Sequence, residues 1–261
     1  MATDLSAIEI EQAIDAPREQ VWDACGTLAG LTRWQADDAS GDLREGGQVI
    51  LRYPAFSAEI KLNVLQCIPH ELLVLKTERG LVEYRLTDTG VRLRHSGREV
   101  SHEREGLVSS WQLSLAQLAH SVTHHPGQPR NVAWLSKAVL GQPQLIHACF
   151  TDAVCLEKWL GSGEVGAAGS HYEITGSDAF QLAGRVLVNF PGRDVALTCE
   201  NLQDSTLIFR TLPGSSPGER TVAVAWSIWG EHDTTWMLPT LEALENGLDE
   251  LQKFLAKTGR D

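Results

Sequence analysis

Residues 107–122 read Leu-Val-Ser-Ser-Trp-Gln-Leu-Ser-Leu-Ala-Gln-Leu-Ala-His-Ser-Val, and Trp111, Leu115, Leu118 and Val122 fall 0, 4, 7 and 11 positions along the run. That spacing lays one apolar stripe along an α-helix. The chain upstream keeps a period of two instead. Val49–Tyr53, Ile60–Val64, Leu72–Thr77, Val82–Thr87 and Val91–His95 each read as a strand, with Pro69-His70, Arg79-Gly80 and Thr89-Gly90 at the turns. Further upstream, Ala7–Ile14 alternates as one more strand, Pro17–Cys25 is a helix opened by proline and broken by Gly26, and a second short helix runs to Trp34. A sheet with one apolar face must bury it, and the closing helix is the large apolar partner at hand. The expected fold is α+β: a curved antiparallel sheet wrapped around a long C-terminal helix, with two short helices after the first strand. A bent sheet cannot touch a straight helix along its whole length, so an apolar pocket between them is expected.

The same order occurs twice. Trp34 and Trp111 are 77 residues apart, as are Trp159 and Trp236, so a shift of 125 relates the pairs. That shift also takes Val21 to Ile146, Tyr84-Arg85 to Phe209-Arg210 and Ser109-Ser110 to Thr234-Thr235, and Pro17 maps to Pro143 with one residue of slippage. An ordered set of this kind marks duplication. In the second copy Val132–Val139 reads as a strand, and Pro143–Phe150 and Asp152–Trp159 read as helices. Strands follow at Tyr172–Thr175, Leu182–Phe190, Val195–Asn201, Thr206–Thr211 and Thr221–Trp229. Leu241, Leu244, Leu248, Leu251 and Leu255 then form a closing helix with Pro239 near its first turn. The junction His-His-Pro-Gly-Gln-Pro-Arg-Asn, residues 124–131, cannot continue a helix. Two domains are therefore expected, 1–125 and a more diverged 131–261.

The net charge of −12 divides evenly: residues 1–125 hold 12 Lys/Arg against 18 Asp/Glu, and residues 126–261 hold 10 against 16. Neither half offers the basic stripe of a nucleic-acid binder. Five scattered cysteines without CxxC or metal-ligand spacing read as reduced thiols of a cytoplasmic protein. The N-terminal stretch lacks the layout of a signal peptide, and no apolar run reaches the ~20 residues of a membrane span. No metal or cofactor motif is present, so neither is expected.

Ala16-Pro17, Val21-Trp22, Trp34, Leu43-Arg44-Glu45-Gly46-Gly47, Tyr84-Arg85-Leu86, Val91-Arg92-Leu93 and Trp111–Leu118 together resemble the SRPBCC superfamily of START-like, helix-grip domains. The branch most similar is the one named after the activator of the 90-kDa heat-shock-protein ATPase. The second copy keeps Pro143, Trp159, Gly169 and Trp236 but lacks the double glycine and the Val-Trp pair. The resemblance implies the fold and leaves the chemistry open, because the superfamily includes transporters, cyclases and cochaperone domains.

Strand parity singles out the candidate ligand-binding residues. His95 shares a face with Val91 and Leu93, and Tyr84 shares one with Val82 and Leu86, so both are expected to line the first cavity beside Trp111 and Leu115 of the helix. The competing reading is a strand-end histidine half in water or satisfied by backbone for His95, and core packing with a satisfied hydroxyl for Tyr84. Tyr172 and Trp226 are the corresponding candidates in the second copy; Trp229, three residues from Trp226, points to the opposite face. Glu59, Lys61 and Asn63 read as the wet face of a strand; the i, i+4 spacing among His120, His124 and His125 could hold a metal, but with no carboxylate or cysteine nearby in sequence they read as a solvated helix end. No catalytic residue is assigned. The expected function is intracellular binding of a small apolar or amphipathic ligand between sheet and C-terminal helix. A pocket enzyme of cyclase, dehydratase or hydrolase type and a chaperone-associated interaction protein are the alternatives.

Overall fold

The computed structural model describes residues 7–78, 80–97, 104–176, 181–230 and 234–258. Two compact units appear, residues 1–131 and 132–261, each with its own seven-stranded antiparallel sheet and its own apolar core. The first unit runs β1 (Ile8–Ala13), α1 (Arg18–Gly26), α2 (Leu28–Thr32), β2 (Asp38–Gly41), β3 (Gln48–Tyr53), β4 (Ala58–Ile68), β5 (Leu72–Thr77), β6 (Gly80–Leu86), β7 (Gly90–Ser96) and α3 (Arg104–His124). Its strands lie in the order β1-β7-β6-β5-β4-β3-β2.

The second unit repeats the plan with β8 (Arg130–Leu140), α4 (Pro143–Thr151), α5 (Ala153–Leu156), β9 (Ser162–Glu164), β10 (His171–Thr175), β11 (Gln181–Phe190), β12 (Asp194–Cys199), β13 (Ser205–Pro213), β14 (Glu219–Trp229) and α6 (Leu238–Thr258). Its order, β8-β14-β13-β12-β11-β10-β9, is that of the first sheet.

Matching anchors show why both copies fold alike. Trp34 donates from Nε1 to Ala24 O at 3.0 Å, and Trp159 donates from Nε1 to Cys149 O at 2.6 Å, both ten residues back. The accepting carbonyls lie in the last turns of α1 and α4, where no further helical N–H is available. Trp34 meets Tyr84 edge-on at 6.1 Å, and Trp159 meets Phe209 edge-on at 5.7 Å. Gly46, at φ 82°, donates its N–H to Val64 O, and Gly169, at φ 87°, donates to Val186 O. A single glycine at the left-handed position thus suffices where the first copy has two. Both long strands carry a bulge just after these contacts, at Val64/Gln66 and Val186/Val188, and a bulge of this kind bends the sheet.

Several expectations on element bounds need correction. Two short edge strands, β2 and β9, were absent from the sequence reading. The helix expected over 152–159 is the four-residue α5 followed by turns, with Asp152 capping it through Oδ1 to the N–H groups of Val154 and Cys155. Trp236 lies in a 3-10 turn, Thr234–Met237, ahead of α6, whereas its counterpart Trp111 lies within α3. Glu59, Lys61 and Asn63 do form an exposed face of β4.

Candidate functional site

The strand register defines one end of the first unit. Ile8 pairs with His95, Leu81 with Ser96, Thr77 with Gly80, Tyr53 with Ala58 and Asp38 with Arg52. The ends of β3, β5 and β7 therefore coincide with the starts of β1, β2, β4 and β6. Arg104 at the start of α3 donates to Ala7 O at 3.2 Å, which places the beginning of that helix at the same end. Along the inward face, Val49, Leu51, Leu62 and Val64 are buried in the core. Ile60 shares their parity, yet it is 42% exposed, and Tyr53 is only partly buried. Phe56, in the 3-10 turn Pro54–Phe56 at the hairpin tip, is exposed as well. Among the described residues, the inward face of the β3–β4 hairpin thus runs out past its covering side chains, which makes this the open end of the unit.

Beneath that end lies a row of aromatic rings. Trp34 meets Tyr84 edge-on, Tyr84 meets Trp111 edge-on at 6.2 Å, and Trp111 meets His95 edge-on at 5.8 Å. Trp111 Nε1 donates to His95 Nδ1 at 3.0 Å. An accepting Nδ1 carries no proton, so the neutral imidazole holds its hydrogen on Nε2. His95 is buried rather than wet at a strand end, and a side chain, not the backbone, satisfies its Nδ1. Leu115, one turn further along α3, is fully buried, and Tyr84 nearly so. A side chain bordering a void wide enough for water would keep accessible area, so no such void adjoins Tyr84 or Leu115. The expected gap does not run along the helix at these positions.

A polar flank borders the same ring row. The Tyr84 hydroxyl is hydrogen-bonded to the Gln35 side chain, and its burial pushes the phenol well above its ordinary range. Gln35 Oε1 is buried without a hydrogen-bond partner among the described residues, so the amide nitrogen makes the bond to Tyr84. Arg130, one residue before the end of this unit, places its guanidinium against the α2–β2 corner. It donates to Trp34 O at 3.0 Å and to Ala36 O at 2.8 Å. Its side chain is 6% exposed, and Asp37 Oδ1 stands 3.7 Å away. Burial lowers Arg130 to about 10, with Asp37 and Tyr53 pulling it back upward. Tyr53 lies within electrostatic reach of both Tyr84 and Arg130, which ties the flank to the open end. Tyr53, Gln35 and Arg130 were missed in the sequence: the first ends a strand before proline, and the last sits in a stretch legible only as a linker.

The second unit does not assemble an equivalent site from the expected residues. The Tyr172 hydroxyl donates to Thr198 O at 2.7 Å, and Trp226 Nε1 donates to Ser205 Oγ at 2.9 Å, both within the core. Tyr172 on β10 and Trp226 on β14 stand four strands apart in the sheet order, roughly 19 Å along the sheet. Trp229 is buried as well. His120 and His125 are also buried, which corrects the solvated-end expectation for two of the three histidines; His124, stacked on His120 at 4.6 Å, is the exposed one.

Comparison with known proteins bears on the fold. Residues 15–123 match the family model described as Activator of Hsp90 ATPase homolog 1-like protein. No curated protein matches the chain. Among solved structures, the chain is similar to the Aha1 dimer from Colwellia psychrerythraea, at 20% identity over 45% of this chain and 96% of that one, with a TM-score of 0.41. CalU16 from Micromonospora echinospora is 28% identical over 45% of this chain and 65% of its own, with a TM-score of 0.39. The di-domain ARO/CYC BexL from the BE-7585A biosynthetic pathway is 13% identical over 97% of this chain and 94% of its own, with a TM-score of 0.41. The family match assigns an AHSA1-like helix-grip fold to residues 15–123, and the second unit repeats the element order and strand order of that fold.

Proposed function

We propose that the first unit is a binding protein for a small apolar or amphipathic molecule, received at the open end between the sheet and α3. The observation that carries this reading is Ile60: an isoleucine on the core-facing side of β4 that is 42% exposed, diagonal in the hairpin register to the partly buried Tyr53. Inward-facing apolar surface left bare beside a row of aromatic rings is what such a ligand would bury. Trp111, partly buried, would meet the ligand, with Tyr84, His95 and Leu115 packed behind it, while Tyr172 and Trp226 are left to the core of the second unit. Five free cysteines favour a reducing compartment, the cytoplasm, as the place of action. No helix among the described residues is long and apolar enough to cross a membrane.

The test is a fluorescence titration of the full chain with N-phenyl-1-naphthylamine, an uncharged apolar probe. Saturable binding is expected, weakened at least tenfold by Ile60→Asp while the melting temperature stays near that of the wild type. A wild-type chain that does not bind the probe, or an Ile60→Asp chain that binds it equally well, overturns the reading.

A further inference from the structure

We propose that the molecule taken at the open end of the first unit carries a carboxylate on its apolar body, and that Arg130 is the group that receives it. This rests on the binding role inferred for that end. Arg130 is a buried guanidinium whose terminal nitrogens hold Trp34 O and Ala36 O, while its Nε–H is buried with no hydrogen-bond partner among the described residues. Its nearest carboxylate, Asp37, lies at 3.7 Å, longer than a charge-assisted hydrogen bond of 2.7–2.9 Å. Burial has already weakened its hold on the proton, so the guanidinium gains from an anion brought close in the same low-dielectric surroundings. An oxygen anion accepting from Nε–H would engage the one guanidinium nitrogen that makes no hydrogen bond to the described residues.

The ligand chemistry follows by elimination among heads. An ammonium head would be repelled by the guanidinium. An ester or hydrocarbon head supplies no charge to offset it. A carboxylate meets both needs, and arginine is the side chain whose fork suits it. Tyr53, partly buried and within electrostatic reach of Arg130, belongs to the hairpin on whose bare face the apolar body would lie. The second orphan, Gln35 Oε1, lies on the residue between the two carbonyls that Arg130 holds, so two unsatisfied polar atoms flank one corner.

The experiment displaces N-phenyl-1-naphthylamine from the full chain with sodium decanoate or with methyl decanoate, which shares the chain but not the charge. Decanoate is expected to displace the probe at concentrations at least tenfold lower than the ester, and Arg130→Gln should narrow that ratio to about twofold or less. Equal displacement by acid and ester in the wild type overturns the carboxylate and leaves the binding role standing. A chain that fails to bind the probe at all removes the binding role itself. A folded Arg130→Gln chain that keeps the tenfold ratio overturns the assignment to Arg130. Should Arg130→Gln fail to melt cooperatively, Arg130→Lys, which keeps the charge and loses the Nε donor, takes its place; a tenfold ratio retained there overturns the Nε contact.

Discussion

Trp34 and Trp159 do the same job in the two units, and the job is local: each indole N–H caps a carbonyl that its own helix leaves open. Replacing Trp34 with Phe keeps most of the ring and removes the donor, leaving Ala24 O buried and unsatisfied. The expected cost is about 1–3 kcal/mol, read as a lower urea midpoint with an unchanged slope, and Trp159→Phe should cost a similar amount through Cys149 O. Cysteine reactivity is also decided residue by residue. Burial pushes the thiols of Cys25, Cys149 and Cys199 up to about 12, whereas Cys67 and Cys155 are only partly buried and raised less. Because the thiolate is the reacting species, an aromatic disulfide reagent at pH 8 should label Cys67 and Cys155 in the native chain. The other three should react only on unfolding, and rapid native labelling of Cys25 would contradict its packing. His147 adds a pH dependence. Burial lowers its pKa below 6.5, although the hydrogen bond to Asn189 and the field of Asp194 oppose the shift. The folded form then binds fewer protons than the unfolded chain once the pH drops below 6.5, so this residue draws stability down as acid is added and is neutral in effect above that point. Wild type should therefore lose more of its urea midpoint between pH 7.5 and 5.5 than His147→Gln does.

At the scale of elements, the β3–β4 hairpin shows how one strand face can serve two purposes. Leu62 and Ile60 sit on the same side of β4, two residues apart, but Leu62 is in the core and Ile60 is not. Leu62→Ala should cost 2–5 kcal/mol, roughly the price of a core cavity, while Ile60→Ala should stay within about 0.5–1 kcal/mol and weaken probe binding. Equal losses at the two positions, measured by urea denaturation, would mean that Ile60 is structural. Most strands and both closing helices were legible because alternation and the 3.6-residue period are written directly into residues such as Val82, Tyr84 and Leu86 or Leu244, Leu248 and Leu251. β2 and β9 were not, since Asp-Ala-Ser-Gly and Ser-Gly-Glu have no apolar alternation and are held as edge strands by one neighbour each. The aromatic part of the candidate site was legible for the same reason as the strands: parity alone puts Tyr84 and His95 inward. Its polar part was not, because Gln35 and Arg130 meet Tyr84 and the α2–β2 corner through tertiary folding, and no local pattern encodes that.

For the whole molecule, the separate sheets and cores predict that each unit folds without the other, provided the cut respects Arg130. Each strand set lies in its own half except that β8 begins two residues before the boundary, and neither apolar cluster contains a residue of the other half. A fragment of residues 1–131 should give a cooperative melt with a mixed α/β circular-dichroism spectrum, and so should residues 132–261. A fragment of residues 1–125 stops short of the guanidinium that satisfies Trp34 O and Ala36 O. Each of those hydrogen bonds comes from a charged donor and is worth about 1.5–3 kcal/mol when buried, so the shorter fragment should melt several degrees lower than 1–131. The second unit responds to the same junction in the opposite sense, because β8 begins at Arg130 and a start at 132 trims two residues from an edge strand. Extending that fragment back to Arg130 should therefore raise its melting temperature. If the 1–125 and 1–131 fragments melt together, Arg130 does not hold the α2–β2 corner, and the polar flank of the open end loses its support.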